Sequence, residues 1–194
     1  MNFTFQPLTT ETWEDFVELF GDKGACGGCW CMTWRLKSAD FEKQKGERNK
    51  KTIEQLVKKN KPIGVLAFSD NKAVGWCAVA PRNEYKRLEN SRVLKPVDDQ
   101  PVWSVSCFFI QKNYRNKGLS KLLLKAAVVF AVSNGAKIVE GYPVDPKPPP
   151  PGEVWRGMPD VFAWTGFTSP FVKAGFKEVA RRSETRPVMR YSVK

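Results

Sequence analysis

Histidine is absent from the 194 residues of this sequence. Because no imidazole is available, Ser-His-Asp and Cys-His nucleophilic sites are excluded, and so is a zinc site that uses histidine. No apolar run in the sequence approaches about 18 residues, the length that a membrane-spanning helix needs. The opening MNFTFQPLTT has no basic region followed by an apolar core, which a signal peptide would have. These absences predict a cytoplasmic protein that does not act at a membrane.

Cationic side chains are in excess, since 32 Lys and Arg stand against 20 Asp and Glu for a net charge of +12. This balance favours phosphate-bearing partners and disfavours polycationic substrates, although a solvated surface explains it equally well. The apolar share of 42% predicts a real core, and the length predicts a single domain over residues 1–194. Five cysteines, an odd number, predict free thiols in a reducing compartment.

Apolar periodicity predicts the secondary structure. Thr10 is the expected N-cap of a first helix that Gly21 ends, and residues 38–60 form a charged helical region. Residues 70–72 have the composition of a hairpin turn. A later helix is predicted from an apolar stripe at Leu119, Leu122, Leu123, Ala126, Ala127 and Phe130. Strands are expected at 63–69, 73–80, 102–110, 136–142, 176–180 and 188–193, with a helix at 165–174. This order predicts an α/β fold with a sheet of mixed strand directions.

The turn between the strand at 102–110 and the following helix has the features of an anion site. It contains Arg115, Gly118 and the small Ser120, and a strand that runs directly into a helix aims unpaired backbone N–H groups outward. Glycine permits the close approach of phosphate oxygens, although it also permits an ordinary tight turn. The spacing is neither that of a P-loop nor that of a Rossmann dinucleotide site.

Three stretches together resemble the GCN5-related N-acetyltransferase (GNAT) family. They are the turn Arg115–Ser120, with serine where the family usually has glycine or alanine, Ala174-Gly175-Phe176 within SPFVKAGFKEV, and the pair Val74-Gly75. The resemblance implies a mixed, mostly antiparallel central sheet of six to seven strands flanked by helices, with a V-shaped split between the central strands. It divides the domain into a helical acceptor-side region at about 10–61, a cofactor core at about 63–142, a Pro-rich loop at 143–151 and a C-terminal helix with strands at 161–193.

The same resemblance implies acetyl-CoA as co-substrate. No metal is expected, because histidine is absent and the cysteine cluster lacks a fourth ligand. Backbone groups of the third apolar strand would bind the pantetheine arm, and backbone amides of the turn would bind the pyrophosphate. The implied cofactor-binding residues are Phe108, Phe109, Ile110, Arg115, Asn116, Lys117, Gly118, Leu119, Ser120 and Lys121.

The implied activity is direct transfer of an acetyl group to a primary amine of a small molecule or peptide, in a ternary complex. Two alternatives remain open at this point. One is a CoA-binding module of weak activity, because Phe171 stands where many family members have a tyrosine. The other is a nucleic-acid-associated protein, which the net charge of +12 suggests and the motifs do not support. Homodimers are common in the family.

Acetyl transfer needs a base, an N–H donor to the carbonyl and an acid for the leaving thiolate. Since Phe171 has no acidic proton, Tyr142 is the candidate acid, and Glu140 and Glu84 are the candidate bases. Packing of the tyrosine and solvation of the two carboxylates are the alternative interpretations. A thiolate of low basicity can also leave without an acid.

The segment ACGGCWCMTW at residues 25–34 places Cys26, Cys29 and Cys31 close together. A metal site needs a fourth ligand, and the Cys-x-x-Cys pair follows a helix rather than opening one, so neither metal nor redox chemistry is favoured. By position in the family, the segment would supply an acceptor wall. Core packing explains it as well, and a catalytic thiol at Cys29 or Cys31 is a further alternative. The candidate wall residues are Trp30, Cys31, Met32 and Trp34.

Overall fold

The computed structural model describes residues 2–146 and 164–193. A seven-stranded sheet in the order β1-β2-β3-β4-β5-β7-β6 forms its centre. Neighbouring strands in this sheet are antiparallel except for the parallel pair β4 and β5, so the predicted mixed, mostly antiparallel sheet is confirmed. The strands are β1 Thr4–Pro7, β2 Gly64–Ser69, β3 Lys72–Pro81, β4 Trp103–Ile110, β5 Ile138–Gly141, β6 Lys177–Arg181 and β7 Pro187–Ser192.

Helices cover both faces of the sheet. The long helix α5 and the short α6 pack on one face, while α1, α2 and α3 share a second core with the opposite face, and α4 packs beside them. Within the described ranges no helix is long and apolar enough to cross a bilayer. The helices are α1 Trp13–Phe20, α2 Ser38–Gln44, α3 Glu47–Lys58, α4 Lys86–Glu89, α5 Leu119–Ser133 and α6 Thr168–Lys173.

A bulge in β4 determines which side chains reach each face. Ala78 of β3 pairs with Cys107, but the next residue, Val79, pairs with Val105, so Ser106 is an extra residue without a partner position. A bulge places two consecutive side chains on the same face of a strand. Accordingly Cys107 packs against the core below α1, together with Phe109.

The strands β4 and β5 separate soon after they meet. They pair only over Trp103–Val105 and Val139–Gly141, whereas β4 continues to Ile110. Beyond the paired part, the Phe108 N–H donates to the Trp164 carbonyl at 2.6 Å. The carboxyl-terminal half of β4 therefore presents an edge that β5 does not cover.

Two details of the predicted helices are wrong. Helix α1 begins at Trp13 after Thr12, not after Thr10, because the Thr12 hydroxyl donates to the Pro7 carbonyl and accepts from the Thr9 N–H, fixing the turn from β1. The buried stripe of α5 is rotated by about one position, since the sheet contacts one side of this helix and α6 another. The buried residues of α5 are Leu119, Leu123, Leu124, Ala127, Val128 and Ala131.

The other predicted elements lie near their expected positions. The turn residues Asp70 and Asn71 have φ of 50° and 62°, the left-handed values of a tight hairpin turn. The charged region at 38–60 consists of two helices separated at Gly46, whose φ is 80°. Most of the predicted Pro-rich loop, residues 147–151, and residues 161–163 lie outside the described residues.

Gly141, the last residue of β5, lies directly against the Phe171 ring, and a Cβ atom there would overlap that ring. We expect Gly141→Ala to lower the free energy of unfolding by about 2–3 kcal/mol because the ring is fully buried and cannot move aside. The matched control is Gly75→Ala, where the nearest atom is the flexible end of Leu123 at 3.0 Å, so the loss should stay below about 1 kcal/mol. Urea unfolding measures both; equal losses would contradict the close packing at Gly141.

Candidate active site

A cavity of about 570 Å³ connects the uncovered edge of β4 with the N-terminus of α5 and with the loop after α1. At one end lie the turn residues 114–116 and 118–120, and along its side lie residues 107–110 of β4. At the other end lie Phe20 of α1 and Ala25, Cys26 and Cys29 of the following loop. The segment before α6 contributes Trp164, Gly166 and Phe167. Residues distant in sequence therefore line one cavity.

The α5 end of the cavity is suited to an anion. Gly118 is the N-cap of α5 with φ of 77°, and Asn116 has φ of 59°. The first backbone N–H groups of a helix have no partner within it, and no side chain caps this terminus. A Cβ atom on Gly118 would meet nothing within 4 Å, so the backbone here borders open space. The arrangement provides a backbone cradle for a phosphate group.

Most of the turn residues predicted from the sequence line this end of the cavity, namely Arg115, Asn116, Gly118, Leu119 and Ser120. Lys117 and Lys121 are not among the described lining residues; the Lys117 ammonium lies 5.7 Å from the Tyr114 ring centroid. Arg115 is tied to the end of β4, since its Nε donates to the Ile110 carbonyl at 2.9 Å. The turn and the strand thus form one continuous wall.

The predicted strand residues Phe108, Phe109 and Ile110 all line the cavity, but their backbone groups face opposite edges. The Gln111 N–H donates to the Val74 carbonyl of β3. Because backbone groups alternate along a strand, Phe109 also faces β3, whereas Phe108 and Ile110 face the uncovered edge. The Phe108 N–H is the group that binds the Trp164 carbonyl.

The loop Gly24–Gly28 borders the cavity and has an irregular conformation. Ala25, Gly27 and Gly28 have φ of 65°, 56° and 71°, values that glycine tolerates best. The Gly28 carbonyl accepts from the Gly46 N–H at 2.9 Å and from Asn49 Nδ2 at 3.1 Å. These bonds connect the loop to the start of α3, and Ala25 and Cys26 of the loop line the cavity.

Cys107 and the buried Cys31 are neighbours at this end. Cys107 lines the cavity, and its thiol donates to the Phe108 carbonyl at 3.8 Å, whereas the Cys31 sulfur accepts from Trp76 Nε1 at 3.1 Å. The neighbouring Cys107 thiol lowers the pKa of Cys31, and the Trp76 bond and the Arg35 charge act in the same direction against the effect of burial. The neighbouring Cys31, together with burial, raises the pKa of Cys107 well above its usual range. Sequence patterns alone did not indicate Cys107.

The predicted acceptor-wall residues lie deeper than the cavity surface. Trp30, Cys31 and Met32 are buried, and Trp30 stacks on Phe20 with ring centroids 5.7 Å apart. Trp34 is half-buried in the core beside α4. None of the four is among the described residues that line the cavity, whereas Ala25, Cys26 and Cys29 are; contact of the four with an acceptor stays a prediction.

The candidate acid and base on β5 lie in a buried polar network near the opposite end of β4. The Tyr142 hydroxyl donates to Glu140 at 2.7 Å and shares a hydrogen bond with Ser104 at 2.7 Å. Glu140 also pairs with Arg82 at 3.1 Å and with Arg190 at 2.7 Å. Burial and the Glu140 charge raise the pKa of Tyr142 well above its usual range.

This network borders a second cavity of about 380 Å³, lined by Arg82, Asp98 and Trp103 among others. Glu84, the other candidate base, is half-exposed and lies 3.4 Å from Arg35. None of the three candidates is among the described lining residues of the larger cavity, and their catalytic roles stay predictions. No group of three or more Cys, Asp or Glu within residues 2–146 and 164–193 is arranged to hold a metal ion.

Solved structures share this fold. The PaiA N-acetyltransferase of Thermoplasma acidophilum, solved with coenzyme A, aligns over 100% of both chains with a TM-score of 0.52 and 17% identity. A GNAT acetyltransferase of Listeria monocytogenes aligns over 98% of this chain and 95% of its own, with a TM-score of 0.57 and 9% identity. One from Streptococcus pneumoniae covers 100% of both chains with a TM-score of 0.52 and 15% identity. At these identities the likeness establishes the fold.

The family follows from the sequence itself. The model of the acetyltransferase (GNAT) family matches residues 30–144, which include β2 to β5, α5 and the turn before it. The chain belongs to the GNAT acetyltransferase family, and N-acetyltransferase is its enzyme class. Comparison with curated proteins gives no match.

Proposed function

We propose that the protein transfers an acetyl group from acetyl-CoA to a primary amine, directly and in a ternary complex. The observation that carries the proposal is the single cavity that joins the N-terminus of α5 to the loop after α1. One end offers backbone N–H groups to phosphates, and the other offers an apolar, thiol-lined space to an acceptor. A donor and an acceptor can therefore occupy the cavity together.

The residues of this cavity fit coenzyme A. Gly118 and Ser120 keep the α5 terminus free of bulk, as a pyrophosphate requires, and Arg115 adds a positive charge beside it. The backbone of Ile110 faces the uncovered edge of β4, where an extended pantetheine arm would add hydrogen bonds to the strand. When bound, the co-substrate supplies an activated acyl thioester. Ile110 N–H is a proposed donor to an amide carbonyl of the pantetheine arm.

The acceptor end favours an amine with apolar neighbouring groups. Among its described lining residues, Phe20, Ala25, Cys26, Cys29 and Cys107, none carries a carboxylate that would attract further positive charges. We therefore propose an alkyl or aryl amine, or the N-terminus of a peptide with an apolar first side chain, as the acceptor class.

The experiment is thermal shift with acetyl-CoA followed by thiol release over an amine panel. Binding should raise the midpoint of unfolding with increasing acetyl-CoA, since a ligand at about 100 times its Kd adds about 2.7 kcal/mol. Apolar primary amines should release thiol faster than spermidine. A thermal shift without thiol release would favour a CoA-binding module, and salt-dependent RNA binding without a shift would favour the nucleic-acid alternative.

A further inference from the structure

Buried polar atoms without a partner are concentrated beside the bulge of β4. Within residues 2–146 and 164–193, five buried side-chain atoms have no hydrogen-bond partner, and three of them are Arg35 Nη2, the Tyr85 hydroxyl and the Ser106 hydroxyl. Arg35 is only 6% exposed, and the other two residues are buried as well. Buried polar groups nearly always have a partner, because leaving one unpaired costs free energy. The three groups together therefore indicate a binding site.

Arg35 and Tyr85 lie against each other. The central carbon of the Arg35 guanidinium is 4.8 Å from the centroid of the Tyr85 ring. The turn that carries Arg35 is fixed to α4, since the Arg87 N–H donates to the Trp34 carbonyl at 3.0 Å. Burial raises the pKa of Tyr85, and the neighbouring Arg35 and Ser106 act against this effect. Because Tyr85 keeps its proton at neutral pH, its hydroxyl can donate a hydrogen bond.

The register of the sheet brings Ser106 to the same place. Ser106 follows Val105, which faces α5, so its side chain lies on the opposite face of β4. On that face the neighbouring strand β3 presents Ala78 to the core below α1 and Ala80 to the cluster that contains Tyr85. Ser106 is therefore positioned where these two clusters meet.

These donors lie next to the wall of the larger cavity. Ser106 immediately precedes Cys107, which lines the cavity, and the bulge places both side chains on the same face. The neighbouring Cys107 and the Arg35 charge both lower the pKa of the buried Cys31, so Arg35 is close to the same wall. An acceptor that contacts Cys107 is therefore about 4 Å along the backbone from Ser106.

The chemistry of the three groups matches a carboxylate. A guanidinium and two hydroxyls are donors, and a carboxylate has two oxygens that each accept more than one hydrogen bond. Glu84 pairs with Arg35 Nη1 at 3.4 Å, and its side chain is 36% exposed, so Nη2 stays available for a second carboxylate. A phosphate dianion would bring a further negative charge beside Glu84, which disfavours it.

We propose that Arg35, Tyr85 and Ser106 bind a carboxylate of the acceptor, so that the preferred acceptor is an amine with both an apolar group and a carboxylate, such as an apolar amino acid. The proposal rests on the proposed acetyl transfer and narrows its acceptor class. Arg35 Nη2 and the two hydroxyls donate to the carboxylate, while the apolar group occupies the space beside Phe20 and Cys29. Arg35 is then a specificity-determining residue.

The first test compares three acceptors that share one apolar group: phenylalanine, phenylalaninamide and phenylethylamine. We expect kcat/KM of the wild-type protein to be about tenfold or more higher for phenylalanine than for either of the others, the usual effect of a charged hydrogen bond. Phenylalaninamide has a less basic amine than phenylalanine, so amine basicity alone would give the opposite order. Release of the coenzyme A thiol measures all three rates.

The second test measures the same ratio in variants. Arg35→Met keeps the length and apolar contacts of the side chain without its charge, so the ratio of phenylalanine to phenylalaninamide should fall to about one or below. Tyr85→Phe removes one donor and should lower the ratio about threefold or more, which tests the site even if Arg35→Met fails to fold. The matched control is Arg87→Met, because the Arg87 guanidinium is bound to Ser38 at 2.7 Å; the ratio should stay within about twofold of the wild type.

Stability separates a binding role from a structural one. The Tyr85 hydroxyl has no partner in the described part of the chain, so Tyr85→Phe should leave the thermal midpoint of the free protein unchanged or raise it. Tyr142 is the matched control, since its hydroxyl bonds with Glu140 and with Ser104, each at 2.7 Å. Tyr142→Phe should lower the midpoint by about 2–4 °C or more. Equal losses in the two variants would mean that Tyr85 has a structural partner, and the proposal would be wrong.

The kinetic results distinguish the failure of this site from the failure of acetyl transfer. If the wild-type protein acetylates amines but shows no preference for phenylalanine, or if Arg35→Met and Tyr85→Phe keep that preference, the carboxylate site is wrong while acetyl transfer stands. If no amine, with or without a carboxylate, releases thiol, the site fails together with the proposed function.

Discussion

Ser120→Asp should weaken acetyl-CoA binding about 100-fold. Ser120 is the second residue of α5 and lines the cavity directly behind Gly118. A carboxylate at this position would bind the N–H groups proposed for the pyrophosphate and would repel it. Two like charges about 5 Å apart repel by about 3 kcal/mol at an effective dielectric constant near 20, which is about two decades in Kd.

The same substitution should not lower stability, which separates binding from folding. Aspartate in the first turn of a helix interacts favourably with the helix dipole, typically by about 0.3–1 kcal/mol. The thermal midpoint without ligand should therefore be unchanged or slightly raised. Loss of binding with an unchanged midpoint would assign the effect to the anion site.

Titration calorimetry with acetyl-CoA measures the effect, and two variants control for it. Ser120→Asn has nearly the same size without the charge, so its Kd should rise by no more than about tenfold. Ser133→Asp adds the same charge at the other end of α5 and should leave the Kd unchanged. The difference between Asp and Asn at 120 should shrink at high salt, because screening weakens charge repulsion. Equal affinities of these two variants at low salt would contradict phosphate binding at this turn.

Local sequence patterns predicted the parts of this fold in which the residue types themselves determine the backbone conformation. The hairpin at Asp70 and Asn71 and the glycine that begins α5 each need a left-handed backbone, which the sequence supplies through suitable residue types. The family match confirms the resemblance read from the turn Arg115–Ser120. The hairpin turn predicted the antiparallel pairing of β2 and β3, whereas the pairing of the other strands was implied only by the family, because pairing partners are not encoded locally.

The acceptor end was harder to predict because it depends on a bulge. One extra residue, Ser106, turns Cys107 toward α1, and nothing in the run of apolar residues around it indicates the shift. The same limit applies to the predicted wall. Trp30 and Met32 are suited to an apolar pocket or to a core, and their burial follows from the position of α1 over β3, which composition does not reveal.

Glu140 shows a different limit of sequence reasoning. A carboxylate on a central strand is a candidate catalytic base, because burial changes the proton affinity of carboxylates. In the structure it has two guanidinium partners, Arg82 and Arg190, which lie 58 and 50 residues away in the chain. Long-range pairs of this kind cannot be inferred from one sequence, so the structural and catalytic interpretations need an experiment.

Glu140→Gln is expected to lower the free energy of unfolding by about 3–5 kcal/mol. The glutamate side chain is 1% exposed, and the two arginine side chains are 8% exposed. An amide keeps one oxygen acceptor but directs its NH₂ group at the second guanidinium, which leaves a buried cation without a partner. Removing one member of a buried ion pair typically has a cost of this size.

The matched control acts on the same guanidinium. Glu89 pairs with Arg82 Nε at 3.0 Å, but its side chain is 46% exposed, so solvent can replace it. Glu89→Gln should therefore cost less than about 1 kcal/mol. For a chain of this size, the two variants should differ by about 10 °C in thermal midpoint, since 1 kcal/mol corresponds to about 2–4 °C.

Kinetics then decide between the two interpretations of Glu140. If the network is structural, Glu140→Gln protein that remains folded at low temperature should keep kcat within about threefold of the wild type. A general base typically contributes about 100-fold or more, so a loss of that size in fully folded protein would restore Glu140 as the base. We expect the first result, because both carboxylate oxygens already accept from arginine and Oε1 also accepts from Tyr142. A base must have a free lone pair that faces the acceptor. Glu140 is not among the described residues that line the larger cavity, where the acceptor would bind.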